Sequence, residues 1–479
     1  MLISSEPTLN ELLFKAALLE HLPAAIFVFV LGACVGSFLN VVNFRLPRNM
    51  RLLVPPSNCP SCNHRLRFFR ENLPIIGWLA IRGKCKYCKS RVSLEYPLIE
   101  LITAMLFLAT YAMCYWIPVS TPFLGEIFGS WWHVNGLFKT FPMFLAVVTM
   151  IAGLLSMTVI DSRTYIIPIQ IPLCMTLIAF LANLVQPMFM LRHTPSEVWP
   201  YPLIDWSWAG VAFGGFVGVL ITCFLLRLGV LKYSFADYDD FVEEGETLGL
   251  YPHARREVCK EFLSLLPIIL GALIGFLCFY EKGIPALGVQ AIAGSMLGYL
   301  VGGGLVWCIR IVGTLGFGKE AMGLGDVHLL AGVGAVIGWW DPILIFFIAP
   351  FSGLLWAASS TVLEKMGRKQ SEIPYGPHLA VATLIVIFAR PAVDWVWAIV
   401  MPGVSMPASQ KLQVNDVLDD FTFEVSSAFL LVESTQNAPK LKNKVFELTN
   451  EQKKVSIPIT PLPVGCGKEK QDVFFELWC

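Results

Sequence analysis

Charged side chains are scarce in this sequence. Only 15% of its 479 residues are Asp, Glu, Lys or Arg, whereas an ordinary soluble domain has about 25%. Basic and acidic residues are also equal in number, 35 each, so the chain lacks the positive charge with which proteins attract nucleic acid. These shortages exclude a soluble enzyme, a disordered chain and a nucleic-acid binder driven by bulk positive charge.

Apolar and aromatic residues take the place of the missing charges. The sequence is 56% hydrophobic, with a mean hydropathy of +0.64, and it contains 38 Gly, 34 Phe and 14 Trp. Gly is common in membrane helices, and aromatic rings favour the membrane interface. The composition predicts a polytopic membrane protein.

Segments of about 20 apolar residues, the length that crosses a bilayer, recur along the chain. We place about ten of them, near 24–44, 97–116, 142–160, 166–189, 208–230, 262–280, 286–312, 327–340, 342–363 and 379–400. They predict an all-α membrane protein with about ten transmembrane helices. The eighth segment is short, and a shallow segment at membrane depth is tolerated only where protein or a wet cavity surrounds it.

The membrane pattern divides the chain into seven consecutive parts. They are an N-terminal segment (1–23), a first membrane helix that is retained rather than cleaved (24–44), a cytoplasmic four-cysteine loop (45–96), helices carrying Asp161 (97–204), an inserted helix pair with an acidic cytoplasmic loop (205–282), helices carrying a Gly-x-Gly-Asp motif (283–400) and a polar extracytoplasmic tail (401–479).

Basic residues set the expected orientation, because short loops rich in Lys and Arg stay in the cytoplasm. The four-cysteine loop holds eleven Lys or Arg against Glu71 and Glu95. We therefore expect this loop on the cytoplasmic side of the membrane, and strict alternation of ten spans then puts both chain termini outside.

The thirteen cysteines do not form a disulfide framework, because they are scattered unevenly and odd in number. Four of them stand as two Cys-x-x-Cys pairs, Cys59 with Cys62 and Cys85 with Cys88, separated by 22 residues. This spacing is typical of a zinc ribbon or knuckle, and a cytoplasmic position disfavours disulfides. We predict a structural zinc ion on these four thiolates, with no open position for catalysis; a redox or metal-free role is the alternative.

Two aspartates stand at predicted membrane borders. Asp161 ends the third segment and Asp326 opens the eighth, in the motif Gly323-Leu-Gly325-Asp326. Alternation puts both at cytoplasmic helix ends, so they share one depth and are predicted to meet. Two carboxylates held close do not both ionise easily, which gives the acid and base needed to activate water. The two glycines would let a substrate backbone approach. The alternative is a helix cap at Asp326 and a solvated Asp161.

Many motifs in this chain resemble those of the type IV prepilin peptidases, a family of GxGD aspartic proteases. The resemblance rests on Gly36-Ser-Phe-Leu-Asn-Val-Val, Arg45-Leu-Pro, the two Cys-x-x-Cys pairs, Glu71-Asn-Leu-Pro, Tyr96-Pro-Leu-Ile-Glu100, the Asp161 segment, Gly323-Leu-Gly325-Asp326 and Ile373-Pro-Tyr-Gly-Pro-His-Leu-Ala. It covers about residues 25–190 and 285–400.

The resemblance implies a function for this chain. Asp161 and Asp326 would be the catalytic aspartates of a multi-pass enzyme in the bacterial inner membrane, with the site facing the cytoplasm. The substrates would be prepilin or pseudopilin precursors, cut just before their hydrophobic helix. The family also methylates the new N-terminus from S-adenosylmethionine, although no glycine-rich nucleotide-binding turn accompanies that activity here.

Support for the aspartate pair is expected from Gly323, Gly325, Glu100 and His328. The family usually has Lys where this chain has His328, which titrates near neutrality. The inserted helix pair and the tail are further departures. An even number of inserted spans preserves the orientation of Asp326, so the insertion need not disturb catalysis.

Two other functions remain open at this point. One is a GxGD protease that acts on other membrane substrates. The other is a non-enzymatic assembly or transport protein that uses the four-cysteine loop for docking.

Overall fold

The computed structural model describes most of the membrane part of the chain. It covers residues 9–52, 58–59, 61–62, 64–65, 73–190, 204–235, 253–365 and 374–402, with side chains omitted for 9–18 and 361–365. All of these residues belong to the compact unit Met1–Val414. The acidic part of the predicted cytoplasmic loop, 237–246, and the tail beyond residue 402 lie outside the described residues.

Almost all of the regular structure is α-helical. The helices are α1 (Leu9–Arg45), α2 (Ile76–Ala80), α3 (Glu95–Tyr111), α4 (Ser130–Thr164), α5 (Gln170–Phe189), α6 (Trp206–Arg227), α7 (Ala254–Phe279), α8 (Leu287–Phe317), α9 (Leu324–Ile337), α10 (Asp341–Lys365), α11 (Tyr375–Phe388) and α12 (Arg390–Val400). The described residues contain no strand, only two isolated β-bridges in the four-cysteine loop. The prediction of an all-α polytopic membrane protein is confirmed.

The number of spans is lower than the ten predicted. Within the described ranges, eight helices are long and apolar enough to cross a membrane, or nine if α11 and α12 count as one span. The eighth predicted segment is α9, which has only 14 residues. At 1.5 Å per residue it is about 21 Å long, short of the roughly 30 Å hydrocarbon core. Every residue of α9 from Leu329 to Ile337 is buried, which explains how so short a helix is tolerated.

The last predicted span, 379–400, is wrong as a single straight helix. The chain bends by 95° between α11 and α12. Ala389 at the junction is non-helical, with φ −125° and ψ 31°. Pro391 lies in the first turn of α12, where its missing N–H is tolerated. It could not donate to the carbonyl of Ile387, and its ring would clash there, so α11 cannot continue through it as one straight helix. Apolar composition alone does not reveal this break.

The helix packing brings three distant parts of the sequence together around α4. This helix packs against α5, α9 and α11, and α9 also packs closely on α8. The backbones of α8 and α9 touch at two glycines, where a Cβ atom on Gly298 would lie 2.0 Å from the carbonyl oxygen of Gly334. Small residues at such crossings allow the close approach that membrane helices use. Helices α6 and α7, the pair predicted as an insertion, pack on each other and against α8.

Candidate active site and metal centre

Asp161 lies one turn before the C-terminal end of α4, with its side chain only 4% exposed. Its carboxylate accepts a hydrogen bond from the backbone N–H of Gly376, at the beginning of α11. The two helices are adjacent at this point because Gly376 has no side chain. A Cβ atom there would lie 2.4 Å from Asp161 Oδ2, which is inside van der Waals contact.

The role of Gly376 is absent from the sequence-based prediction of the site. The segment Pro374-Tyr-Gly-Pro377 does stand out in the sequence, since two prolines flank a glycine at the start of an apolar helix. That pattern marks a helix start. It does not reveal that the glycine leaves room for the side chain of Asp161, which lies more than 200 positions earlier in the chain.

Asp326 occupies the first turn of α9 and is 8% exposed. The backbone N–H of Gly323 donates a hydrogen bond to its carboxylate. This contact is a form of the helix cap that was the structural alternative for Asp326. The cap uses only part of the carboxylate, since Oδ1 is buried and has no hydrogen-bond partner among the described residues.

The structure brings the two carboxylates into the same site. Asp161 and Asp326 interact electrostatically, and Ile167 packs beside both glycine segments. A Cβ atom on Gly325 would lie 2.7 Å from Ile167 Cβ, and one on Gly376 would lie 3.1 Å from Ile167 Cδ1. Each aspartate thus accepts a hydrogen bond from a glycine N–H, and the two carboxylates lie near enough across the packed α4 and α9 helices to interact electrostatically.

The remaining predicted support residues have different surroundings. A Cβ atom on Gly323 would lie in ordinary contact with Asp326 Oδ2, at 3.5 Å, so Gly323 contributes through its N–H. Gly325 leaves room for Ile167. His328 is half-buried in α9 and has no hydrogen-bond partner in the part of the chain that the structure describes. Tyr375, which was not predicted, lies at the start of α11 and interacts electrostatically with Asp326.

Glu100 is buried on α3, where it fixes the four-cysteine loop instead of contacting the aspartates. Its Oε2 accepts the backbone N–H of Ile75 at 2.6 Å, and its carboxylate also bonds the Ser37 side chain. Ile75 has φ 61°, which is unfavourable for a β-branched residue. The bond to Glu100 therefore stabilises an unusual backbone turn against α1 and α3.

The four predicted cysteine ligands form one cluster. All four sulfur atoms lie within 4.8 Å of one another. Cys59 Sγ is 3.8 Å from Cys88 Sγ, and Cys62 Sγ is 4.0 Å from Cys85 Sγ. Tetrahedral zinc with bonds of about 2.3 Å requires sulfur atoms about 3.8 Å apart. The donor set and its spacing fit a zinc ion with all four positions filled by protein.

The backbone shapes both cysteine pairs in the same way. The N–H of Cys59 donates to the carbonyl of His64, and the N–H of Cys85 donates to the carbonyl of Ser90, each at 2.9 Å. Each Cys-x-x-Cys pair therefore sits in a small turn closed by a hydrogen bond between residues five apart. The two turns face each other with their sulfur atoms inward.

Ionisation differs among the four thiols. Burial opposes the Cys59 thiolate, but hydrogen bonds from the backbone N–H groups of Cys62 and Ser61 outweigh it and lower the pKa of Cys59 to about 6. The backbone N–H of His64 favours the Cys62 thiolate, but burial and the neighbouring Cys88 sulfur raise the pKa of Cys62 to about 12. Four thiolates in one cluster repel one another, and a divalent cation would neutralise that repulsion.

Comparison with known proteins gives consistent matches. The family model described as Bacterial Peptidase A24 N-terminal domain matches residues 30–114, which include the four-cysteine loop. A protein of Myxococcus xanthus named prepilin leader peptidase/N-methyltransferase is 46% identical over 100 residues, 21% of this chain and 30% of that protein.

Longer matches extend across the aspartates. Proteins of the same name from Stutzerimonas stutzeri and Aeromonas hydrophila are 27% and 25% identical, covering 74% and 75% of this chain and 86% and 89% of theirs. No solved structure shows significant similarity. The chain is thus similar to prepilin leader peptidase/N-methyltransferases over about three quarters of its length, and its N-terminal part matches the Peptidase A24 family model.

Proposed function

We propose that this protein is an intramembrane aspartic endopeptidase that removes the leader of type IV prepilin-like precursors and then N-methylates the new N-terminus. The observation that carries the proposal is the pair of buried, mutually interacting carboxylates of Asp161 and Asp326. The names of the relatives supply the substrate and the second activity.

The two aspartates supply an acid and a base for peptide hydrolysis. The ionised carboxylate takes a proton from water as the water oxygen attacks the carbonyl carbon of the scissile peptide. The protonated partner donates its proton to the carbonyl oxygen, which gives a gem-diol. In the next step the aspartate that took the proton from water gives it to the leaving amine, while its partner takes a proton from the gem-diol as the C–N bond breaks, which restores the pair. The glycine N–H groups hold one oxygen of each carboxylate in place. Oδ1 of Asp326 keeps its lone pairs for the reacting groups.

The site suits a cut at the membrane border. Asp161 lies one turn from the end of α4, and Asp326 lies in the first turn of α9. Helix ends are where a substrate can leave its own helix and present an extended peptide. The excess of Lys and Arg in the four-cysteine loop supports a cytoplasmic position for this border.

Two cofactors are proposed, one from the chemistry of the cysteine cluster and one from the name of the relatives. Cys59, Cys62, Cys85 and Cys88 would hold a zinc ion that joins the two turns of the loop and contributes folding energy. S-adenosylmethionine would supply the methyl group, on the strength of the relatives' name.

A mass measurement tests this function. The purified protein is incubated with a pilin-like precursor, with and without S-adenosylmethionine. We expect the precursor to lose its leader in both reactions and to gain the mass of one CH₂ only with the methyl donor. Intact precursor together with aspartate-dependent cleavage of other membrane proteins would favour the GxGD protease with different substrates. No mass change in any membrane substrate would favour the non-enzymatic assembly protein.

Replacing Gly376 by Ala is expected to reduce leader cleavage about a hundredfold, because the new methyl group displaces the Asp161 carboxylate and removes its alignment. The measurement is kcat for precursor cleavage by folded, detergent-purified protein. Gly304→Ala is the matched control, because a Cβ atom at Gly304 in α8 meets no atom within 4 Å. Equal rates for the two variants would contradict the close contact between Gly376 and Asp161.

A further inference from the structure

Arg310 is a buried arginine in α8, with its side chain 2% exposed. Its Nε donates to Glu261 Oε1 at 2.6 Å. Its Nη1 donates both to Glu320 and to the backbone carbonyl of Met322, in the connection between α8 and α9. A guanidinium within a membrane protein is expensive to bury, so a group with this many directed bonds is a candidate for a function.

One peptide unit joins Arg310 to the aspartate pair. The carbonyl of Met322 and the N–H of Gly323 belong to the same planar peptide group. Arg310 holds the carbonyl end of this group, and Asp326 accepts a hydrogen bond from its N–H end. Rotation of the peptide plane would break both bonds at once. Arg310 also interacts electrostatically with Asp326 itself.

The inserted helix pair holds the other side of Arg310. Glu261 is a buried residue of α7, and it also accepts the Ser234 hydroxyl at 2.9 Å. The guanidinium of Arg310 lies 5.2 Å from the centre of the Phe235 ring. The backbone N–H of Phe235 in turn donates to Glu257 of α7 at 2.8 Å. The residues that follow α6 and the first turns of α7 therefore hold the arginine at its Nε, whereas its Nη1 holds the Met322–Gly323 peptide.

We propose that Arg310 is a positioning residue, which fixes the Met322–Gly323 peptide and through it the Asp326 carboxylate, and that the inserted helix pair supports the active site by holding Arg310. This assignment rests on the proposed function for the role of Asp326. It also gives the inserted helix pair a supporting part in catalysis. The sequence alone had only indicated that an even number of inserted helices need not disturb the site.

Removing Arg310 alone would leave Glu261 buried without its partner, which destabilises proteins strongly. The test therefore uses the double variant Arg310→Met with Glu261→Met, which replaces the ion pair by apolar side chains of similar size. The matched control is Arg390→Met with Asp341→Leu. Arg390 is likewise a largely buried arginine paired with two carboxylates, but it lies beyond the far end of α11, about 20 Å along that helix from Gly376.

Two measurements are made on purified full-length protein. In precursor cleavage, the Arg310/Glu261 double variant is expected to lose about 10- to 100-fold in kcat with KM within about twofold, since alignment and not substrate binding is affected. Arg310→Lys, which keeps the charge, is expected to lose less. In amide hydrogen exchange, the peptide containing Gly323 is expected to exchange about tenfold faster in the double variant. The Arg390/Asp341 control is expected to match the wild type in both.

The outcomes separate this proposal from the proposed function. Wild-type exchange at Gly323 in the folded Arg310/Glu261 variant would overturn the positioning role, as would an equal loss of kcat in the Arg390/Asp341 control. If the wild-type protein does not cleave the precursor but exchange at Gly323 accelerates as expected, the structural role of Arg310 holds and the peptidase function fails.

Discussion

Replacing either Asp161 or Asp326 by Asn is expected to abolish leader cleavage, with a loss of at least about 10²- to 10⁴-fold, because each substitution removes one partner of the acid–base pair. The amide has the shape of the carboxyl group, and its oxygen can still accept the N–H of Gly376 or Gly323. The variants should therefore reach the membrane in the same amount as the wild type. The loss would then be one of chemistry and not of folding.

The measurement is the mass of the precursor after incubation with each purified variant at equal protein concentration. Glu95→Gln is the control, because it exchanges a carboxylate for an amide at an exposed ion pair with Arg163, two residues after Asp161 in the chain. Exposed ion pairs contribute about 0–1 kcal/mol, so this variant should cleave normally. Cleavage that survives in Asp326→Asn would refute the assigned role of that residue.

The sequence predicts those features of the site that depend on short, ordered motifs. The two aspartates stand out because an ionisable group inside a membrane segment is costly and rare. The cysteine pairs stand out because two thiolates three positions apart can bind one ion. The apolar segments also predict the helices well, since hydropathy depends on local composition alone.

Features that depend on contacts between distant residues were not predicted. Gly376 matters because its missing side chain leaves room for Oδ2 of Asp161. Arg310 matters because it binds the carbonyl oxygen of Met322, in the peptide group shared with Gly323. Neither residue belongs to a charge pair that sequence spacing reveals. Glu100 was placed with the aspartates from its depth, whereas the structure directs its carboxylate to the backbone of Ile75. Depth along the membrane normal can be predicted from sequence, but the direction in which a side chain points depends on the packing of helices.

The same distinction explains the errors in the number of spans. Hydropathy treats α9 and the α11–α12 pair as ordinary spans because their composition is apolar. Their actual form depends on burial by α4 and α8 in the first case and on Pro391 in the second. The short α9 also carries Asp326 in its first turn, so the segment that departs most from a regular span holds one of the two proposed catalytic residues.

Removing the zinc ligands is the second change with a large expected effect. The wild-type protein is expected to bind one zinc ion per chain, and a variant with Cys62→Ser and Cys88→Ser is expected to bind none. Two remaining thiolates cannot complete a tetrahedral site, and structural zinc sites contribute about 10–16 kcal/mol of binding free energy near neutral pH. Because the sequence of the loop is too short and polar to supply a sizeable apolar core, loss of the ion should unfold it.

Metal content per chain and protease cleavage within 45–96 measure this effect. Both should change in the Cys62/Cys88 variant, and a strong zinc chelator should produce the same cleavage pattern in the wild type. Cys34→Ser with Cys278→Ser is the matched control, since both are free, exposed cysteines on membrane helices outside the cluster. A wild-type protein that contains no zinc after purification in its presence would contradict the metal site. It would favour a metal-free or redox role for the four thiols, without affecting the assignment of Asp161 and Asp326.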